Sequence, residues 1–153
     1  MASILKMSEA TSLAMHALVY LSAVGTRCST KEIATALDAS EHHLSKVLQR
    51  LAKVHLVKAA RGPGGGFVLA RAPEGISLLE VYQAMEGDVA SNDCLFPKRI
   101  CGGTRCILGS LIRDVNAEVM GYLQATKLAD LLDVYSEGKR GMTHEEGQED
   151  NCH

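Results

Sequence analysis

Leu56-Val-Lys-Ala-Ala-Arg61-Gly-Pro-Gly-Gly-Gly66-Phe-Val-Leu69 is the stretch that decides the architecture. Two short β-capable runs, Leu56–Ala60 and Phe67–Leu69, flank a segment of four glycines, one proline and Arg61. Such a segment forms a turn with almost no side-chain bulk. A hairpin tip without Cβ atoms can lie close against a sugar–phosphate backbone, with Arg61 reaching a phosphate or entering a narrow minor groove. The competing idea, a phosphate-cradling nucleotide loop, fails because no Lys-Ser/Thr follows and the flanks are strand and strand, not strand and helix. Arg61, Gly62, Gly64 and Gly65 are therefore candidate DNA-binding positions.

Upstream, Ser29-Thr-Lys-Glu32 has the spacing of a capping box. It opens a short helix with Ile33, Ala34 and Leu37 inward. After the polar Asp38-Ala-Ser40, Ser40 can cap a second helix from Glu41 to about Val54, with Leu44, Val47, Leu48 and Leu51 as its apolar stripe. Before both, Met7–Val24 reads as an amphipathic support helix. Ala10, Leu13, Ala14, Ala17, Leu18, Leu21 and Val24 share one face, Ser8 is its cap and Gly25 its stop. This order predicts a helix-turn-helix, although the turn lacks its usual glycine. Ser40, His42, His43, Ser45, Lys46, Gln49 and Arg50 lie off the second helix's stripe, where they can donate to phosphates and base edges. A solvated helix face is the plainer alternative.

Downstream, Ile76–Met85 reads as another short helix, and residues 87–103 as an irregular segment carrying Cys94 and Cys101. A long helix is expected from about Thr104. Within it Leu108, Ile112, Val115, Val119 and Tyr122 alternate at coiled-coil spacing, so it reads as a dimerisation helix, packing onto its own domain being the alternative. Leu128–Tyr135 is a last apolar patch. The predicted fold is mainly α with a small β-hairpin wing: a winged helix-turn-helix domain over residues 1–87, a cysteine loop over 88–106, a dimerisation helix and helical cap over 104–135, and a disordered acidic tail over 136–153.

Composition agrees. Aromatics are 4% with no Trp, so the core must be aliphatic, which suits helices. The net charge of −2 conceals an asymmetry. Residues 27–71 hold eight Lys/Arg against three acids, while residues 72–153 hold seven against fourteen. A basic module joined to an acidic segment suits double-stranded DNA plus a separate sensing or partner function. No run of about 18 apolar residues exists to span a membrane, and no export signal is visible. The expected location is the bacterial cytoplasm, at the nucleoid.

Five cysteines in a cytosolic chain point to metal ligation or redox sensing before a disulfide framework. Cys94, Cys101 and Cys106 are spaced C-x6-C-x4-C. That is wide for zinc knuckles but can wrap a 2Fe–2S rhomb completed by a non-cysteine ligand. Lys98, Arg99 and Arg105 among them favour thiolates. Zinc, a thiol switch and unrelated cysteines stay open on spacing alone. Cys28 reads as structural, and Cys152 as part of the tail.

Leu37–Leu69, above all its glycine-rich wing, resembles the Rrf-type winged-helix regulators, the IscR- and NsrR-like iron–sulfur family. The resemblance extends from about Lys6 to Leu132 and includes the Ile76–Gly87 segment and the cysteine loop. It implies a homodimer on a palindromic operator, with one cluster per subunit on Cys94, Cys101 and Cys106, spaced a little differently from the family's usual five-and-five form. One branch of the family takes its last ligand three residues after the third cysteine, where this chain has Gly109. Another uses an acidic residue of the partner's first helix, matched here by Ser12. His16, one turn later, matches a ligating histidine of a redox-sensing branch.

The expected function is a transcription regulator, a repressor whose DNA affinity is set by a 2Fe–2S cluster (4Fe–4S second) sensing redox state, nitric oxide or iron–sulfur status. It is not an enzyme and has no small-molecule substrate. The alternatives are a cluster-free winged-helix regulator using thiols or zinc, and a small electron-transfer or thiol-redox protein.

Overall fold

The computed structural model describes residues 7–88, 94, 96, 100–102 and 105–135. Asp93, Lys98, Arg99, Thr104, Cys152 and the expected tail lie outside the described residues.

The chain starts its first helix, α1 (Glu9–Val24), at Ser8, whose hydroxyl accepts the Thr11 N–H at 3.1 Å. It stops at Gly25, left-handed at φ 71°. α2 (Thr30–Ala36) begins with the full capping box. Glu32 N–H donates to Ser29 Oγ at 3.2 Å, and Ser29 N–H donates to a Glu32 carboxylate oxygen at 2.6 Å. The Ser29 amide, and after it the Ser29 hydroxyl, hold the Glu32 carboxyl below its usual range.

The missing turn glycine has a substitute. Asp38 adopts φ 49°, the left-handed conformation that a short polar side chain tolerates. α3 (Glu41–Lys53) follows, with Leu44, Val47, Leu48 and Leu51 buried. A second left-handed residue, His55 at φ 59°, ends it. His55 N–H reaches the Ala52 carbonyl at 3.1 Å and Leu56 N–H the Leu51 carbonyl at 3.0 Å, the paired bonds that close a helix C-terminus.

β1 (Val57–Ala60) and β2 (Gly66–Leu69) pair antiparallel, with Val57 opposite Leu69 and Ala60 opposite Gly66. Cys28 adds a one-residue third strand: its N–H donates to the Phe67 carbonyl at 3.0 Å, and Phe67 N–H donates back at 2.8 Å. The approach is close enough that a Cβ on Gly66 would sit 2.4 Å from the Cys28 carbonyl oxygen. Buried Cys28 is therefore part of the wing's anchorage.

α4 (Leu78–Glu86) is capped by Ser77, whose hydroxyl accepts the Glu80 N–H at 3.2 Å. Its last residue is tied to the start of α1, since the Ser8 and Thr11 hydroxyls both donate to Glu86, the first at 2.5 Å. This pairing explains how polar Thr11 can be fully buried. Thr11 and Val19 are buried on α1, whereas Ala10, Leu13 and Val24 are only half-buried, a wider belt than the single expected face. The reason is enclosure: α3, α4 and the C-terminal segment Leu128–Tyr135 all pack on α1.

α5 spans Leu111–Ala125, starting later than the apolar periodicity indicates. Gly109 at φ 57° breaks the helix, leaving Cys106–Gly109 as a separate turn closed by Gly109 N–H on the Cys106 carbonyl at 3.1 Å. The end of α5 returns to the domain: Leu123 and Leu128 are buried, and Leu128 N–H donates to the Ile76 carbonyl at 3.0 Å. Tyr135 then meets Tyr20 edge to face at 5.7 Å. Along the expected seam Val115 is 44% and Tyr122 61% exposed, while Val119 is half-buried against the core, so packing back accounts for only part of the seam.

Two outcomes follow for stability. Gly66→Ala should cost about 1–3 kcal/mol through overpacking and release Cys28 and Phe67 amides to exchange, whereas Gly75→Ala, in open space, should change little in urea denaturation. Glu86 titrates below its ordinary value because the Ser8 and Thr11 hydroxyls stabilise its charge. Its contribution is therefore present above the unfolded value of about 4.3 and lost as pH falls through the lowered folded value. Glu86→Gln should destabilise the protein at neutral pH, with the difference from wild type vanishing in acid unfolding titrations.

Candidate nucleic-acid interface and metal-ligating residues

The stripe that buries α3 leaves its other face outward. His42, Lys46, Gln49 and Arg50 are exposed, while His43 and Ser45 are half-buried. Ser45 accepts a hydrogen bond from the Gln49 amide at 3.4 Å. Ser40 sits at the helix start and spends its hydroxyl on the cap, accepting the His43 N–H at 3.4 Å. His43 Nδ1 is 3.6 Å from the Glu9 carboxylate on α1, which turns that side chain toward the support helix. Arg50 faces the carboxylate of Glu86, adding the smallest of the influences that lower its pKa.

At the wing, Arg61, Gly62 and Gly64 are exposed, and the turn is closed by Gly65 N–H on the Gly62 carbonyl at 2.8 Å. Gly65 allows this geometry, since a Cβ there would meet the Ala60 carbonyl oxygen at 2.7 Å. The sequence reading missed one neighbour: Arg27, 37 positions before Gly64, donates to its carbonyl at 3.3 Å. No periodic pattern marks a residue in a connection, so this contact becomes visible only when the wing folds back beside residues 26–28.

Cys94 is half-buried, Cys101 and Cys106 are exposed, and none of the three is in a disulfide. Among the described residues no three His, Cys, Asp or Glu side chains meet as a metal site. The structure therefore does not bring Cys94, Cys101, Cys106 and His16 together within one chain. The donor chemistry nonetheless fits a thiophilic metal group. His16 is exposed on α1, and its Nδ1 is 2.7 Å from the Ser12 carbonyl oxygen. A carbonyl only accepts, so Nδ1 carries the hydrogen, and in the neutral ring the Nε2 lone pair is the one that can meet a metal, the tautomer control that ligating histidines use. His16, Ser12, Glu9, Asp38 and His43 line one open groove of about 550 Å³ between α1 and the α2–α3 turn.

The family model for Rrf2, described as an iron-dependent transcriptional regulator, matches residues 7–134. The chain belongs to the Rrf2 family. Among its relatives, the transcriptional regulator NsrR of Geobacillus kaustophilus is 30% identical over 137 residues, covering 84% of this chain and 90% of that protein. The regulator IscR of Aliivibrio salmonicida is 31% identical over 101 residues, 66% of this chain and 60% of that protein. The chain thus spans less than two thirds of the IscR relative. Among solved structures, CymR, the global cysteine regulator of B. subtilis, superposes with a TM-score of 0.72 at 26% identity, over 86% of this chain and 98% of CymR. T. potens IscR gives 0.68 at 25% identity, over 94% and 95%. These are transcription regulators, not enzymes, and the winged-helix fold is theirs as well. Among the described residues no helix is long and apolar enough to cross a membrane.

The double position of Ser40, helix cap and candidate DNA contact, can be separated. Ser40→Ala should cost about 1 kcal/mol of stability and Ser40→Gly only a few tenths, both measured by urea denaturation. A loss of DNA affinity that persists in Ser40→Gly assigns the hydroxyl to DNA.

Proposed function

We propose that this Rrf2 chain is a homodimeric repressor that binds a palindromic DNA operator and is controlled by an iron–sulfur cluster, 2Fe–2S in preference to 4Fe–4S. The observation that carries the sensing half is His16, held through Nδ1 by the Ser12 carbonyl on a groove that also holds His43 of α3. The thiolates of Cys94, Cys101 and Cys106 and Nε2 of His16 would hold the cluster, the histidine facing a second copy's cysteine loop. When bound, the cluster supplies a one-electron couple and reactivity toward oxidants or nitric oxide.

The rest belongs to the chain's own side chains. His42, Ser45, Lys46, Gln49 and Arg50 present donors to a major groove, with His43 turned aside toward Glu9, and Ser40 orients the helix that carries them. Arg61, on a tip made of Gly62, Gly64 and Gly65, reaches the adjacent minor groove or backbone. The exposed side of α5 supports dimerisation, because Leu111, Val115 and Tyr122 leave an apolar strip in water. A two-fold dimer then requires half-sites about one helical turn or more apart. The likeness to CymR favours a second reading, a cluster-free regulator acting through cysteine thiols.

Anaerobically purified protein decides between them. The cluster reading expects a visible charge-transfer spectrum that is abolished in Cys94→Ala, Cys101→Ala and Cys106→Ala. It expects an altered spectrum and a shorter-lived cluster in His16→Ala, with folding and dimerisation intact. A colourless wild type that binds DNA in a thiol-dependent manner establishes the second reading, and an unchanged His16→Ala spectrum removes His16 as ligand.

A further inference from the structure

The wing tip has almost no side chains of its own, so whatever charge it presents to a polyanion must come from its edges. Arg61 supplies one edge. The other is occupied by Arg27, which belongs to the connection between α1 and α2 and reaches Gly64 through Nη1 at 3.3 Å. Its position is not that of a loosely placed surface side chain. The next residue, Cys28, exchanges two backbone hydrogen bonds with Phe67, at 3.0 and 2.8 Å. Gly66 packs so closely on the Cys28 carbonyl that no Cβ fits between them. Residues 27 and 28 and the hairpin therefore move as one small three-stranded unit, in which Cys28 is buried and Arg27 exposed.

Among the described residues the charge of Arg27 is not spent on a carboxylate. Among the described residues Arg71 pairs with Glu80 and Arg113 with Asp114, but no carboxylate pairs with Arg27 or with Arg61. A guanidinium carries five N–H donors, and the Gly64 carbonyl uses one of Arg27's. The others stay available in the planar fork that matches phosphate oxygens.

We propose that Arg27 is a second DNA-contacting residue of the wing, holding the glycine tip by the Gly64 carbonyl while its remaining donors bind a backbone phosphate of double-stranded DNA. The inference rests on the DNA-binding reading above and is independent of the cluster. Arg61 at the tip and Arg27 beside it make a two-pronged clamp on the sugar–phosphate strand. A phosphate contact fixes register and adds affinity without reading bases.

The probe is a fluorescein-labelled duplex enriched by the wild-type protein from a random-sequence pool, with an unselected 30-bp mixed duplex alongside, each titrated over a series of salt concentrations. Arg27→Ala should weaken binding on the order of tenfold, to a similar extent on both duplexes, and flatten the log K against log salt slope by about one. Arg27→Gln can still donate to Gly64 but lacks the charge, and it should show the same loss and the same flattening. Arg27→Lys should restore the slope. Thermal unfolding of each variant reports whether the wing remains folded, and the Gln and Lys variants keep the test available if Arg27→Ala does not. Wild-type affinity and slope in Arg27→Gln, with or without a defect in Arg27→Ala, overturn the proposal and leave Arg27 as a wing support only. If wild-type protein enriches and binds no duplex, the DNA-binding reading itself fails, and the proposal with it.

Discussion

Most of the domain packs on α1, and α1 can serve that role because of its small residues. Ala14 and Ala17 have no exposed surface and offer only a methyl group, so neighbouring elements pack close against the helix while Leu18 and Leu21 fill the spaces between. α3, α4, the wing strand β2 and the C-terminal 3-10 segment all contact it. An enclosed helix with this many partners cannot shift without repacking them together.

Its first turn is also where three parts of the chain are tied by polar groups. Ser8 and Thr11 hold Glu86, the last residue before the stretch leading to the cysteines, and Glu9 stands beside His43 of α3. One turn further, His16 is held in a defined tautomer by its own helix. The approach to the cysteine loop, the His16 imidazole and a side chain of α3 are thus all tied to the first two turns of one helix, Thr11 on its buried side and Glu9 and His16 on its exposed side.

Local signals in the sequence were enough for most of the fold. The capping box at Ser29 and Glu32, the Leu44–Leu51 stripe and the glycine-rich hairpin depend on neighbours within a few residues, so they can be read before any tertiary contact exists. Left-handed Asp38 and His55 were not legible, because neither residue demands that conformation as a glycine would. The buried Thr11 escaped notice since its partner, Glu86, is 75 residues away. Within the candidate site, donor types could be read but not their convergence: the thiols and His16 are distant in sequence and do not meet within one chain. The pairing of His43 with Glu9 likewise depends on how α3 crosses α1. The α5 boundary was misplaced because apolar periodicity runs straight through Gly109, which a pattern of side-chain polarity cannot flag.

That glycine has a consequence for how such a chain can vary. Were the helix continuous back to Cys106, that thiol would be locked in phase with the α5 seam, about 100° per intervening residue. With the backbone turned at Gly109, the phase of α5 is set by its own docking through Leu123 and Leu128. The intervals between cysteines are then mechanically decoupled from the seam. A C-x6-C-x4-C loop and a five-and-five loop can lead into the same helix, so cysteine spacing is open to adjustment while the α5 surface stays in register.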